Sequence, residues 1–78
     1  MPTVLRVGPY RLFFYSGDGR EPPHVHVERD DSLAKFWLAP VRLASSQGYR
    51  SAELRDIERI VSNNSALLLE AWNEYFSN

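Results

Sequence analysis

The chain has 78 residues, a formal net charge of −1 and no cysteine, so a disulfide framework and thiolate metal sites are excluded. The near-neutral charge creates no global field that would attract nucleic acid. A run of about 18 apolar residues and a signal-peptide pattern are both absent. We therefore expect a single domain over residues 1–78 that is cytoplasmic and has no membrane association.

Residues from about 3 to 44 carry short apolar patterns separated by turn signals, which is typical of β-strands. The first strand is predicted from Thr3 to Val7, and Gly8-Pro9 ends it. The second runs from Tyr10 to Tyr15 and is apolar on both faces, which indicates a central position or a covered second face. A last short strand is predicted from Val41 to Ala44.

The stretch from Glu21 to Leu38 has the pattern of a β-hairpin with two histidines on its first arm. Strand alternation separates the histidines from the neighbouring valines. An even loop places Val27 opposite Ala34 or Phe36, whereas a slip of one residue would place it opposite a lysine. One polar and aromatic patch is therefore expected on the other face. Its members are His24, His26, Glu28, Lys35 and Trp37.

After Gly48 the apolar period changes from two to that of a helix. Ser51 is a plausible N-cap, and the sequence Asn63-Asn64-Ser65 interrupts the helical pattern. A single helix from residue 51 to 77 would be roughly 40 Å long, which exceeds what so small a domain can cover. Two helices within residues 51–77 are therefore predicted.

Strands followed by helices indicate an α+β fold. We expect a small antiparallel sheet of four to five strands, with the two C-terminal helices packed on one face. The face that carries Val25 and Val27 should lie under the helices. The histidine face should then point to solvent or to a partner, and it would leave Phe13, Tyr15 and Trp37 uncovered.

Several segments together carry a family resemblance. EPPHVHVERD, AKFWL, ELRDIERIV and LLEAWNEYF, with the opening PTVLRVGPYRLFFYS, resemble the domain-of-unknown-function family 4160 over nearly the whole chain. The resemblance implies a small bacterial, archaeal or phage-associated protein. Such proteins are often encoded beside another small protein and are suspected of belonging to toxin–antitoxin pairs. No settled family activity exists, so the resemblance carries over no catalytic residues.

The main functional hypothesis is a small intracellular interaction protein from such a two-gene system. It would work through contacts with a protein encoded nearby, and a homo-oligomer is a further option. The expected contact surface is the hairpin patch with the neighbouring tyrosine. Its residues are Tyr15, His24, His26, Glu28 and Trp37.

Two alternatives use the same histidines. In a metal-independent ribonuclease toxin, His24 and His26 would exchange protons, and Lys35 or Arg11 would stabilise a phosphate. In a metal-binding module, the two rings would chelate one ion, with Glu28 as a distant third ligand. The primary hypothesis requires neither a metal nor another cofactor.

Overall fold

The computed structural model describes residues 3–77; Met1, Pro2 and Asn78, at the ends of the predicted domain, lie outside the described residues. The strands are β1 (Thr3–Val7), β2 (Tyr10–Phe13), β3 (His24–Arg29), β4 (Ser32–Leu38) and β5 (Val41–Gln47). The helices that follow are α1 (Ser51–Asn63) and α2 (Ser65–Phe76). A short 3₁₀ helix, Ser16–Arg20, lies between β2 and β3 and is called the 3₁₀ turn below. The predicted α+β fold is confirmed.

The five strands form one antiparallel sheet in sequence order, each paired with the strand next to it in the chain. In the central hairpin Val27 lies opposite Ala34, as the alternation predicted. The same register brings His24 opposite Trp37 and His26 opposite Lys35. The histidines, the lysine and the tryptophan therefore share one face of the sheet.

Two strands end at other residues than the sequence predicted. β2 stops at Phe13, before Tyr15, because the chain bends into the 3₁₀ turn, where the Tyr15 backbone N–H donates to the Asp18 carboxylate at 2.8 Å. β5 continues beyond Ala44 to Gln47, because the additional residues keep pairing with β4. The longer β5 forms one edge of the sheet, and six of its seven residues are exposed.

The hydrophobic core lies between one sheet face and the two helices, as predicted for the face with the hairpin valines. α1 packs over β4 and β5, and α2 packs over β4. Neither helix of residues 3–77 has the length and apolar character that a membrane crossing requires. The buried core consists of Leu12, Phe14, Val25, Val27, Ala34, Phe36, Leu38, Ile57, Val61, Leu68 and Trp72.

The two predicted helices are present, and the chain breaks between them at Asn64. The Asn64 side chain donates to the Ile60 carbonyl at 2.8 Å, which satisfies a carbonyl at the end of α1. The backbone φ of Asn64 is −116°, so this residue does not end α1 in the left-handed conformation that often follows a helix. The expected N-cap at Ser51 is wrong: Arg50 occupies the N-cap, no side chain caps it, and Ser51 is the first helical residue.

A polar network attaches the start of α1 to the sheet. The Arg29 guanidinium donates two hydrogen bonds to the Glu53 carboxylate, at 2.8 and 2.9 Å, and the Tyr10 hydroxyl donates a third at 2.7 Å. These bonds lower the pKa of Glu53. Beside them, Tyr49 donates to the Val27 carbonyl at 3.0 Å, and burial raises the pKa of Tyr49 to about 12.

This network predicts a specific dependence of stability on pH. Because the folded-state pKa of Glu53 is below its ordinary value of 4.5, the unfolded chain binds more protons there in acid. The stabilisation is thus complete above pH 4.5 and is lost as pH falls through the folded-state pKa. At pH 7, Glu53→Gln should lower the melting temperature by several degrees, and the difference from wild type should shrink in acid. Thermal unfolding at pH values from 7 to 3 measures this, with the exposed Glu58→Gln as control. A difference that does not change with pH would contradict the prediction.

Candidate functional site

On the sheet face opposite the core, the 3₁₀ turn and Pro22 pack on the histidine rings, and Trp72 of α2 also reaches His24. As a result His24 has no exposed surface and His26 is 8% exposed. The expectation that the histidine face points to solvent or to a partner is therefore wrong for both rings. Alternation correctly indicated which side chains share the face, but the path of the loop decides what covers it.

Asp18 in the 3₁₀ turn lies directly against both imidazoles. Its Oδ1 is 3.1 Å from Nε2 of His24, and its Oδ2 accepts a hydrogen bond from Nε2–H of His26 at 3.1 Å. The three side chains offer ligand atoms that all lie within 4.8 Å of one another. The backbone N–H of Tyr15 also donates to Oδ2, which fixes the orientation of the carboxylate. We call Asp18, His24 and His26 the histidine–aspartate cluster.

Aromatic rings enclose the two imidazoles of the cluster. His24 lies 5.6 Å from the Trp37 ring and 5.0 Å from Trp72 of α2, measured between ring centroids. His26 stacks on Phe13 at 5.5 Å and meets the edge of Tyr15 at 4.6 Å. These contacts make the surroundings of the rings largely apolar.

The exposure of the aromatic residues on this face also differs from the prediction. Phe13 was expected to be uncovered and is 1% exposed. Trp37 is half-buried, and Tyr15 is 37% exposed. The prediction that Phe13 is uncovered is therefore wrong. Of the three rings, only that of Tyr15 presents a large exposed surface.

The local environment acts on the protonation of His26. Burial lowers the pKa of His26, because the charged ring would lose its hydration, and the nearby Asp18 carboxylate opposes this effect. The balance favours a neutral ring at neutral pH, which can donate one hydrogen bond and coordinate a cation through its lone pair.

The two cations proposed for phosphate contacts are both engaged within the chain. Lys35 pairs with Glu21, and its Nζ lies 4.6 Å from the Trp37 ring centre. Arg11 donates to Glu28 at 3.0 Å and lies over the Phe13 ring at 4.2 Å. Neither side chain is directed at the histidines as a free cation.

Glu28, the third metal ligand considered from the sequence, is not part of the histidine–aspartate cluster. Sequence reasoning missed Asp18, which occupies that place. Asp18 lies in a Ser-Gly-Asp-Gly turn, where an aspartate ordinarily stabilises the turn itself. The available signal was a carboxylate in a short loop that must return to the strand with both histidines.

Comparison with known proteins places the chain in a family. The family model described as Domain of unknown function (DUF4160) matches residues 10–73, which include β2 to β5, α1 and most of α2. Neither a curated protein nor a solved structure matches the chain at a significant level. The match contains the whole histidine–aspartate cluster and extends over well more than half of the sequence, so the chain belongs to the DUF4160 family.

Proposed function

We propose that this chain is a small interaction protein that acts in the cytoplasm as one component of a two-gene, toxin–antitoxin-like system. The two-gene context rests on the resemblance to family 4160. The mode of action, contact with another protein, rests on the surface of α2.

The observation that carries the proposal is an apolar groove between α2 and the N-terminal strands. It has a volume of about 400 Å³ and is lined by Val4, Phe14, Ala71, Glu74 and Tyr75. Only two of the twelve residues of α2 are buried, although the helix is largely apolar. A clustered apolar surface of this kind usually marks a contact site for another protein.

Exposed side chains of α2 enlarge the apolar surface around the groove. Leu67 is 47% exposed and Tyr75 is 43% exposed. The occupant that fits is the apolar face of an amphipathic helix from the protein encoded next to this chain. The Glu74 carboxylate at the groove would favour a basic residue beside the apolar face of that helix.

The contact surface proposed here differs from the hairpin patch. His24 and His26 are buried, so they offer a partner little or no surface. Tyr15, Glu28 and Trp37 keep exposed or half-buried surface and can take part at the rim. The groove between α2 and the N-terminal strands forms the centre of the proposed interface.

A binding measurement with the neighbouring gene product tests this proposal. Tyr75→Ala and Leu67→Lys should each weaken the complex at least about tenfold, because aromatic and apolar anchors dominate such interfaces. Arg55→Ala, on the exposed side of α1, is the matched control and should leave affinity unchanged. Calorimetry gives the affinities, and circular dichroism verifies that each variant folds. No complex, or equal affinity in all variants, would contradict the proposal.

The geometry does not favour the ribonuclease alternative. An RNA phosphate must reach both proton-exchanging rings, and His24 has no exposed surface. The supporting cations, Lys35 and Arg11, are paired with carboxylates. Expression of the chain alone should therefore not arrest growth through RNA cleavage.

A further inference from the structure

The histidine–aspartate cluster contains a buried nitrogen atom without a hydrogen-bond partner. Nδ1 of His24 lies 2.9 Å from the carbonyl oxygen of Pro22. A carbonyl only accepts, so Nδ1 carries the hydrogen, and in the neutral ring Nε2 carries the lone pair. Nε2 is fully buried and makes no hydrogen bond to any group in residues 3–77.

The lone pair of His24 nevertheless lies close to a carboxylate. Nε2 is 3.1 Å from Oδ1 of Asp18, but their relative orientation does not satisfy the geometry of a hydrogen bond. Two electron-rich atoms in a buried environment repel each other unless a cation lies near both. A hydrogen bond between these two atoms would need a proton aligned with both, and their orientation does not allow that. A metal ion can contact both atoms from beside the line that joins them.

We propose that Asp18, His24 and His26 bind a divalent transition-metal ion of the zinc type. Two ligand atoms of one tetrahedral ion lie about 3.3–3.6 Å apart when each bond is about 2.0–2.2 Å. Nε2 of His24 is 3.1 Å from Oδ1 of Asp18 and Nε2 of His26 is 3.1 Å from Oδ2, so each imidazole is close to this range from one carboxylate oxygen. The ion would replace the proton that Nε2 of His26 donates to Asp18. One donor atom from each of the three residues lies within 4.8 Å of the other two. Movements of less than about 1 Å per atom would therefore complete the coordination.

The identity of the donor atoms selects the class of metal. Two imidazole nitrogens and one carboxylate oxygen suit Zn²⁺ and its neighbours in the first transition row. Mg²⁺ and Ca²⁺ prefer oxygen ligands alone and are disfavoured. Three protein ligands leave one position of a tetrahedral ion for water, and His26 borders a depression of about 200 Å³ from which water can enter.

Surrounding groups orient the ligands in the way that metal sites require. The Pro22 carbonyl holds the His24 ring through Nδ1, which leaves Nε2 for the ion. The Tyr15 backbone N–H holds the carboxylate of Asp18. The aromatic rings around His24 exclude water, which strengthens the attraction between an ion and its ligands.

The bound ion would attach the 3₁₀ turn to β3. Small domains that have a limited core and no disulfides often gain stability from a structural metal. The turn also packs closely on the end of α2. There is no room for a side chain at Gly19, since a Cβ there would lie 2.7 Å from Cδ1 of Phe76. The ion would therefore stabilise the loop and, through it, the helix terminus. This inference is independent of the proposed partner groove.

A titration with Zn²⁺ on the full chain, without a histidine tag and after treatment with a chelator, tests the inference. Calorimetry should show one ion per chain. At a Zn²⁺ concentration about 100 times the dissociation constant, the melting temperature should rise by about 10–20 °C. Co²⁺ should give the visible absorption bands of a four-coordinate site that contains nitrogen ligands.

Two variants identify the carboxylate ligand. Asp18→Asn keeps the size of the side chain and should weaken Zn²⁺ binding at least about 100-fold. Glu28→Gln removes a carboxylate on the same strand as the histidines that pairs with Arg11, and it should leave binding unchanged. Circular dichroism verifies the fold of both proteins without metal. No Zn²⁺ or Co²⁺ binding at millimolar concentration, or unchanged affinity in Asp18→Asn, would overturn the inference, as would a loss of binding in Glu28→Gln.

Discussion

Replacing Trp72 with alanine is expected to remove much of the free energy of unfolding of the protein. The Trp72 side chain is 6% exposed and its ring lies 5.3 Å from Phe14, 5.0 Å from His24 and 4.2 Å from Phe76. Removal of a buried tryptophan costs about 3–5 kcal/mol. A domain of this length has a total stability of roughly 4–12 kcal/mol, so one substitution removes much of it.

The same helix supplies the control for this prediction. Leu67→Ala changes a side chain that is 47% exposed and should alter stability by no more than about 0.5 kcal/mol. Urea unfolding monitored by far-UV circular dichroism compares the two variants. If Trp72→Ala and Leu67→Ala unfold at the same urea concentration, α2 does not pack on the sheet through the face described.

His24→Ala is expected to destabilise the metal-free protein by about 2–4 kcal/mol. The ring is fully buried against two tryptophans, and its Nδ1–H donates to the Pro22 carbonyl. The substitution leaves a cavity and removes the hydrogen-bond donor to the Pro22 carbonyl. Thermal unfolding in the presence of a chelator measures this loss without a contribution from bound metal.

Glu28→Ala is the matched control on the same strand, because its partly exposed ion pair with Arg11 contributes little. It should change stability by less than about 1 kcal/mol. If His24→Ala left stability unchanged and abolished an RNA-cleaving activity, the ring would be a proton-transfer group. That result would restore the ribonuclease alternative.

The sequence predicted much of the fold because the local patterns and the turns agree. Alternation and an even loop correctly placed Val27 opposite Ala34. The change of period after Gly48 and the asparagine pair near Asn64 located two helices. These features depend on residues that are close in the chain, so they can be read from short segments.

The candidate site was only partly predictable, because it joins distant segments. Period-two spacing showed that His24 and His26 share a face. The burial of their rings, however, depends on two elements from other parts of the chain that pack against this face. One is the 3₁₀ turn, which brings Asp18 over the rings. The other is α2, whose Trp72 reaches His24. The local sequence pattern of β3 therefore predicts neither the contact with Asp18 nor the contact with Trp72.

The order of the elements has a consequence for synthesis on the ribosome. All five strands precede α1, so the residues of the sheet leave the ribosome before the helices that cover them. At about 5–20 residues per second, the last 30 residues or so require roughly 2–6 s. During this interval Val25, Val27 and Phe36 have no helix over them, and an uncovered apolar sheet tends to aggregate. Slow codons within α1 or α2 would therefore reduce the soluble yield without changing the finished fold.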